Sequence, residues 1–279
     1  MTTALTSGSA RLQALTTPRP QPSSLGQWWV LTRRTIAPTL RNGEILTLLV
    51  ASAAFTAGWY IPLNHIMGPR CGMSSFAQYL MPLVALQGIS FAAVIGALRA
   101  ATDSVKGINR RFQSMPIAPL TPLAARMSAT LFRCAVGITA ALISGHVIGF
   151  RFYRGLEYTV GFCLALLVIG VVLSFMADLF GINSRNPEAT TQLLLLPQLI
   201  FGLISVGIQP VEHFPEWIQP IVRNQPISQF VYVLRALAGD KTAAAGSLTW
   251  SLVGPSLAWL VGVTAIVVPL SVVLLLRRR

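Results

Sequence analysis

Residues 158–177 read YTVGFCLALLVIGVVLSFMA, an uncharged run bounded by Glu157 and Asp178. A helix rises about 1.5 Å per residue, so about 20 such residues reach across the ~30 Å of bilayer hydrocarbon. Working outward, five further runs lie between charges. They are 45–69 (Glu44 to Arg70), 71–98 (Arg70 to Arg99), 123–149, 189–211 (Glu188 to Glu212) and 250–276, which ends in Arg277, Arg278 and Arg279. The 123–149 run carries Arg126 near one end and Arg133 further in. The pattern predicts an all-α integral membrane protein with six transmembrane helices. Composition agrees: 53% of the 279 residues are hydrophobic and 10% are charged, against about 25% charged in a soluble domain. That excludes a soluble enzyme.

The net charge is +13, from 21 Lys and Arg against 8 Asp and Glu. The basic residues are spread between apolar runs, with no stripe interleaved with aromatics, so nucleic acid is not an expected partner. Lys and Arg collect on the side of a membrane protein that stays in the cytoplasm. With six spans, 14 of them fall on the side of the two termini and 6 on the other. Both termini are therefore expected to be cytoplasmic, in a multi-pass protein of the cytoplasmic membrane. Residues 1–24 are polar and rich in Thr, Ser and Pro and read as a disordered cytoplasmic tail. Residues 25–279 read as one membrane domain. Its first part, 25–43, sets Trp28 and Trp29 beside Arg33, Arg34 and Arg41, with an apolar stripe at helical spacing. That suits a helix lying among lipid headgroups, the alternative being the first turns of the first span.

Three places could carry function. The inner loop 99–122, RAATDSVKGINRRFQSMPIAPLTP, offers Arg110 and Arg111 beside Phe112 and Met115, charge together with an apolar anchor. It is either a docking surface for a soluble partner or a plain basic loop. The outer segment 212–241 is too broken by Pro215, Pro220 and Pro226 to span and too apolar to be a solvated loop. Two short helices are expected there, around Trp217–Val222 and Phe230–Leu237, forming an outer gate or an interfacial aromatic belt. Arg133 is the one charge well inside a span: a functional candidate, or a side chain snorkelling to the inner face. Asp178 either pairs with it or marks the interface. Glu212 and Glu216, and the isolated His65, His146 and His213, form no catalytic or metal-ligating constellation. Cys71, Cys134 and Cys163 indicate neither a zinc site nor a disulfide framework. There is no phosphate-binding GxxxxGK[ST] loop, so ATP, if used, binds another chain.

Four segments carry a resemblance: RRTIAPTLRNGEILT at 33–47, GINRRFQSMPIAPLTPL at 107–123, IGFRFYRG at 148–155, and FPEWIQPIVRNQPISQFVYVLRALAGD at 214–240. Together they resemble the ABC-2 family of ABC-transporter membrane subunits. The likeness extends to daunorubicin-resistance-type exporters of actinobacteria, and to the C-type membrane subunit of the mycobacterial system among them. The resemblance implies the ABC-2 permease fold: six spans, an interfacial helix at 25–43, a coupling loop at 99–122 and an outer gate segment at 212–241. In the coupling loop the family pattern falls on Asp103, Gly107, Phe112 and Pro116, with Asp in place of the commoner Glu. Phe214, Pro215, Trp217, Pro220, Pro226 and Arg235 belong to the outer pattern. The resemblance further implies a non-enzymatic chain with no cofactor of its own. ATP and Mg would sit on a separate ATPase subunit. A second permease, a B-type paralogue or a copy of this chain, would complete the path. Membrane lipids would surround it, and the cargo would be a phthiocerol dimycocerosate-type wax or an anthracycline-type drug. A non-transporting scaffold of a lipid-synthesis complex is the alternative.

Overall fold

The computed structural model describes residues 23–115, 117, 118 and 120–277. The expected tail over 1–24 lies outside them except for 23 and 24, as do Pro116, Arg278, Arg279 and the side chains of Arg110 and Arg277. Among the described residues the structure is helical and contains no strand. The helices are α1 (Ser24–Arg41), α2 (Glu44–Met67), α3 (Phe76–Val105), α4 (Ile108–Gln113), α5 (Thr121–Val147), α6 (Leu156–Asn183), α7 (Pro187–Leu203), α8 (Gln219–Asn224), α9 (Pro226–Ala238) and α10 (Trp250–Arg277).

Five of these regions, at α2, α3, α5, α6 and α10, are long and apolar enough to cross a membrane. The run between Glu188 and Glu212 differs from expectation. It forms α7, a helix of 17 residues that ends at Leu203, and the chain then turns through buried Ser205, Val206 and Ile208. In the stretch 99–122 the helix-capable first half is helical. Helix α3 continues to Val105, so Asp103 stands on the last turns of a long helix. The loop proper starts at Gly107, whose φ of +69° turns the chain.

Helix α3 is the axis of the bundle. Twenty of its 30 residues are buried, and α2, α5, α6, α7 and α9 all pack against it. Small residues permit the closest approaches. A Cβ on Gly137 of α5 would lie 2.8 Å from the carbonyl oxygen of Gly88 on α3. One on Gly181 of α6 would lie 2.4 Å from that of Ala97. Helix α2 is peripheral and buries only Leu48, Ser52 and Thr56, three residues four apart on one seam. Helix α9 is amphipathic: Ser228, Val231, Leu234, Arg235 and Ala238 face inward at helical spacing, toward α3, α6 and α10.

Candidate functional site

The candidate residues gather at the two ends of the bundle. At the arginine-rich end, α1 lies against α5 and α2. Trp28 Nε1 donates a hydrogen bond to Ser128 Oγ of α5 at 3.1 Å, and Thr32 and Thr39 are buried on the same face. Trp29, Leu25 and Leu40 are exposed, with Arg33, Arg34 and Arg41 exposed around them. The two tryptophans thus divide the work: Trp28 anchors the helix to the bundle, and Trp29 faces outward with the apolar strip. An exposed apolar strip bordered by arginines is the surface that a helix lying among lipid headgroups would need.

The same helix touches the loop that follows α3. The Arg34 guanidinium stands 5.5 Å from the ring centre of Phe112 on α4. Gln27 Oε1 accepts a hydrogen bond from the Ala118 backbone at 3.4 Å. Met115 and Arg111 are exposed beside this contact. Asp103, one helix earlier, is half-buried.

Behind this surface lies a cluster of buried and half-buried charge. Arg99 of α3 takes Glu44 Oε1 of α2 with Nε at 2.6 Å and with Nη2. Arg126 of α5 stands 3.4 Å from Asp178 of α6. Arg133 does not snorkel. It is 2% exposed, because α3 closes over it at Gly96, where a Cβ would lie 4.0 Å from Arg133 Nη2. Asp178 has Arg126 rather than Arg133 as its ion-pair partner.

At the opposite end, two stretches of chain, 151–153 and 238–242, are tied to the start of α3. Gln78 Nε2 donates to the carbonyls of Arg151 at 2.9 Å and Gly239 at 2.7 Å, while its Oε1 accepts from the Arg151 amide at 3.2 Å. Tyr153 N–H donates to Ala238 O. Asp240 closes the ring through Ser74 and Thr242. Burial pushes the Asp240 carboxyl up, but the hydrogen bonds from Ser74 and Thr242 outweigh it and hold it below the usual range. Phe150, Phe152 and Phe162 fill the space beneath with edge-on contacts.

The turn after α7 is held by side chains distant in sequence. Gln225 Nε2 donates to Ile204 O at 2.6 Å and to Phe201 O at 3.2 Å. Ser228 Oγ accepts from Val206 N–H. Val206 O accepts from Tyr79 Oη at 2.7 Å and from Arg235 Nη2 at 3.1 Å. Arg235 is buried, with its guanidinium 3.7 Å from the Tyr79 ring centre. Buried non-helical backbone survives only when protein groups satisfy it, and these four side chains do so. Of the outer residues singled out from sequence, only Arg235 belongs to this lock. Phe214 and Pro226 are half-buried near it, and Pro215, Trp217 and Pro220 are exposed. Gln78, Tyr79, Gln225 and Ser228 were missed. Their signal was a polar side chain inside or beside an apolar run.

Among the described residues no group of His, Cys, Asp and Glu could hold a metal ion. The sequence pattern of ABC-2 family transporter proteins matches residues 47–273. The chain belongs to the ABC-2 transporter family. It is 50% identical over 258 residues to the doxorubicin resistance ABC transporter permease protein DrrB of Mycobacterium tuberculosis, covering 90% of this chain and 89% of the relative. The probable doxorubicin resistance ABC transporter permease protein DrrC of the same organism is 28% identical, covering 76% of each chain. The daunorubicin resistance ABC transporter permease protein DrrB1 of Streptomyces coeruleorubidus is 28% identical over 58% of this chain and 57% of its own. Identity is thus higher with a B-type than with a C-type relative, where the sequence segments had pointed to the C-type. As an ABC-2 member the chain is a multi-pass membrane protein, and its two clusters sit at opposite ends of its apolar helices.

Proposed function

We propose that this chain is the membrane subunit of an ATP-driven exporter that moves an amphiphilic drug of the anthracycline type out across the cytoplasmic membrane. The observation that carries this reading is the 50% identity, along nine-tenths of the chain, to a permease whose name gives doxorubicin resistance. That identity favours a drug over a wax as the cargo. Six crossings, with both termini cytoplasmic, suit the excess of Lys and Arg at the α1 end. At 17 residues α7 lies at the short limit for a span, and the locked turn that follows it adds depth.

The geometry supports a lever. A partner ATPase would bind ATP and Mg, and this chain would bind neither. Closure of the ATPase would press on the loop around Arg110, Arg111, Phe112 and Met115. Phe112 bears on Arg34, so the push passes into α1, and α1 is fixed to α5 by Trp28. A rigid helix so loaded tilts the helices attached to it. The second half of the path would come from another permease, either a copy of this chain or a C-type paralogue. The cargo would leave past the α7 turn, where Arg235 and Gln225 hold the outer segment closed. Its binding would rest on buried apolar area, about 25 cal/mol per Å².

The test is a gentle-detergent pull-down of the tagged chain from its own membranes, followed by doxorubicin efflux from cells carrying the recovered subunits. An ATPase in the eluate, and drug retention when its ATP site is disabled, is the expected result. An intact chain that repeatedly comes down with no ATPase refutes the exporter and leaves the scaffold.

A further inference from the structure

The charge cluster at the arginine-rich end holds two groups with buried polar atoms that the fold leaves unmatched. Glu44 gives Oε1 to Arg99, yet its Oε2 is buried with no hydrogen-bond partner. Arg133 is buried, and its Nε and Nη1 have no hydrogen-bond partner either. Arg133 Nη2 reaches α3 at Gly96, 4.0 Å from where a Cβ there would lie, and Arg99, which holds Glu44, follows one turn later on the same helix. Asp178 already has Arg126 beside it. The unused acceptor and the unused donors therefore belong to opposite charges in one cluster. Orphaned buried groups are rare, and each costs more than a made bond returns.

The surrounding structure lets these groups meet. Helix α2, which begins at Glu44, packs directly on α5, which carries Arg133. Side chains on a helix lean toward its N-terminus, so Arg133 leans toward the end where Glu44 lies. The α2 seam is narrow and small, with Leu48, Ser52 and Thr56 buried, so sliding along it disrupts little packing. Glu44 follows α1 after only Asn42 and Gly43, and Gly43 has φ +73°, a bend rather than a continuous rod. Any tilt of α1 is delivered first to Glu44.

We propose that Glu44 exchanges partners during the transport cycle: it is held by Arg99 in the conformation seen here and by Arg133 when α1 is displaced. Glu44 and Arg133 are then positioning residues of the exporter, and the exchange gives the α2–α5 contact two discrete settings instead of a continuous drift. This inference rests on the exporter reading above, and concerns which side chains register the ATPase stroke.

The test uses the complex of this chain with its ATPase, in lipid nanodiscs, with ATP turnover and thermal stability as paired readouts. Turnover requires no knowledge of the cargo, so failure of drug export and failure of this exchange are separable. Absence of the complex itself is reported by the pull-down. Arg133→Gln removes a cation that makes little use of its donors here. It is expected to keep the wild-type melting temperature and ATPase association while turnover falls about tenfold. Glu44→Gln is expected to lower turnover to the same level, and the double variant no further, because one exchange has been broken twice. Arg133→Lys restores the charge and at least half of the rate. The exchange is overturned if the two losses multiply in the double variant. It is overturned equally if Arg133→Gln turns over at the wild-type rate, or loses turnover only in step with its melting temperature.

Discussion

Replacing Gln78 by Leu tests whether the end of the bundle away from the arginine cluster is held by one buried amide. Leu is close to Gln in volume, and the site is fully buried, so packing is nearly conserved and the hydrogen bonds are what changes. Three are lost: to the carbonyls of Arg151 and Gly239, and from the amide of Arg151. At about 1 kcal/mol net for each bond, the loss is about 3 kcal/mol. It is larger if the freed backbone groups stay dry, since each then carries a desolvation cost of its own. With about 2–4 °C of melting temperature per kcal/mol for a chain of this size, the midpoint falls by about 6–12 °C. With the half-buried Cys163 replaced by Ser, the protein supplies its own probe, because Cys71 and Cys134 are buried free thiols that a thiol-sensitive fluorophore reaches on unfolding. The control is Gln192→Leu, the same chemical change on the exposed face of α7, expected to leave the midpoint in place. If both variants melt within about 2 °C of the wild type, Gln78 does not join the α5–α6 loop to the end of α9, and the argument for an outer hub fails.

Gly181→Val should prevent stable folding, since its Cβ would meet the Ala97 carbonyl at 2.4 Å and backbone cannot yield. Gly58→Val, on α2 with open space around it, should remain monodisperse in size-exclusion chromatography, and equal behaviour of the two would refute the α3–α6 contact. Arg34→Ala removes a contact worth about 0.5–1 kcal/mol. Its melting point should hardly move while ATP turnover by the complex drops, and unchanged turnover would remove Phe112–Arg34 from the lever. The lowered Asp240 carboxyl stabilises the fold above the ordinary carboxylate range, and this contribution is lost as the pH falls through the lowered value. Asp240→Asn should therefore melt below the wild type at pH 6, with the gap closing at acid pH. A gap that is constant with pH would show that the Ser74 contact does not depend on the charge.

The spans were legible because charge cannot enter hydrocarbon cheaply, so Glu44, Arg70, Arg99, Glu157 and Asp178 mark limits that any fold of this chain must respect. Which span lies at the centre was not legible. Lipid tails are as apolar as leucine, so a lipid-facing helix and a buried one carry no contrasting stripe. Helices α3 and α10 read alike in hydropathy, though one is the axis and the other packs at the edge. The end of α7 was hidden for a different reason. The groups that stabilise the turn at 204–208 come from Tyr79, Gln225, Ser228 and Arg235, all more than 15 residues away in the chain.

What remained visible was the placement of polar side chains within apolar runs. Gln78 and Gln87 on α3 are both buried, and each found a partner: the outer loop for one, Gln198 of α7 for the other. A polar group in that setting either has a partner or is waiting for one. Reading Arg133 as a snorkelling side chain treated it as solvated, and the structure removes that option by burying it. Its unmatched donors then stand out against the satisfied glutamines of the same bundle. By the same logic that assigns Gln78 to the outer hub, they direct attention to the free oxygen of Glu44.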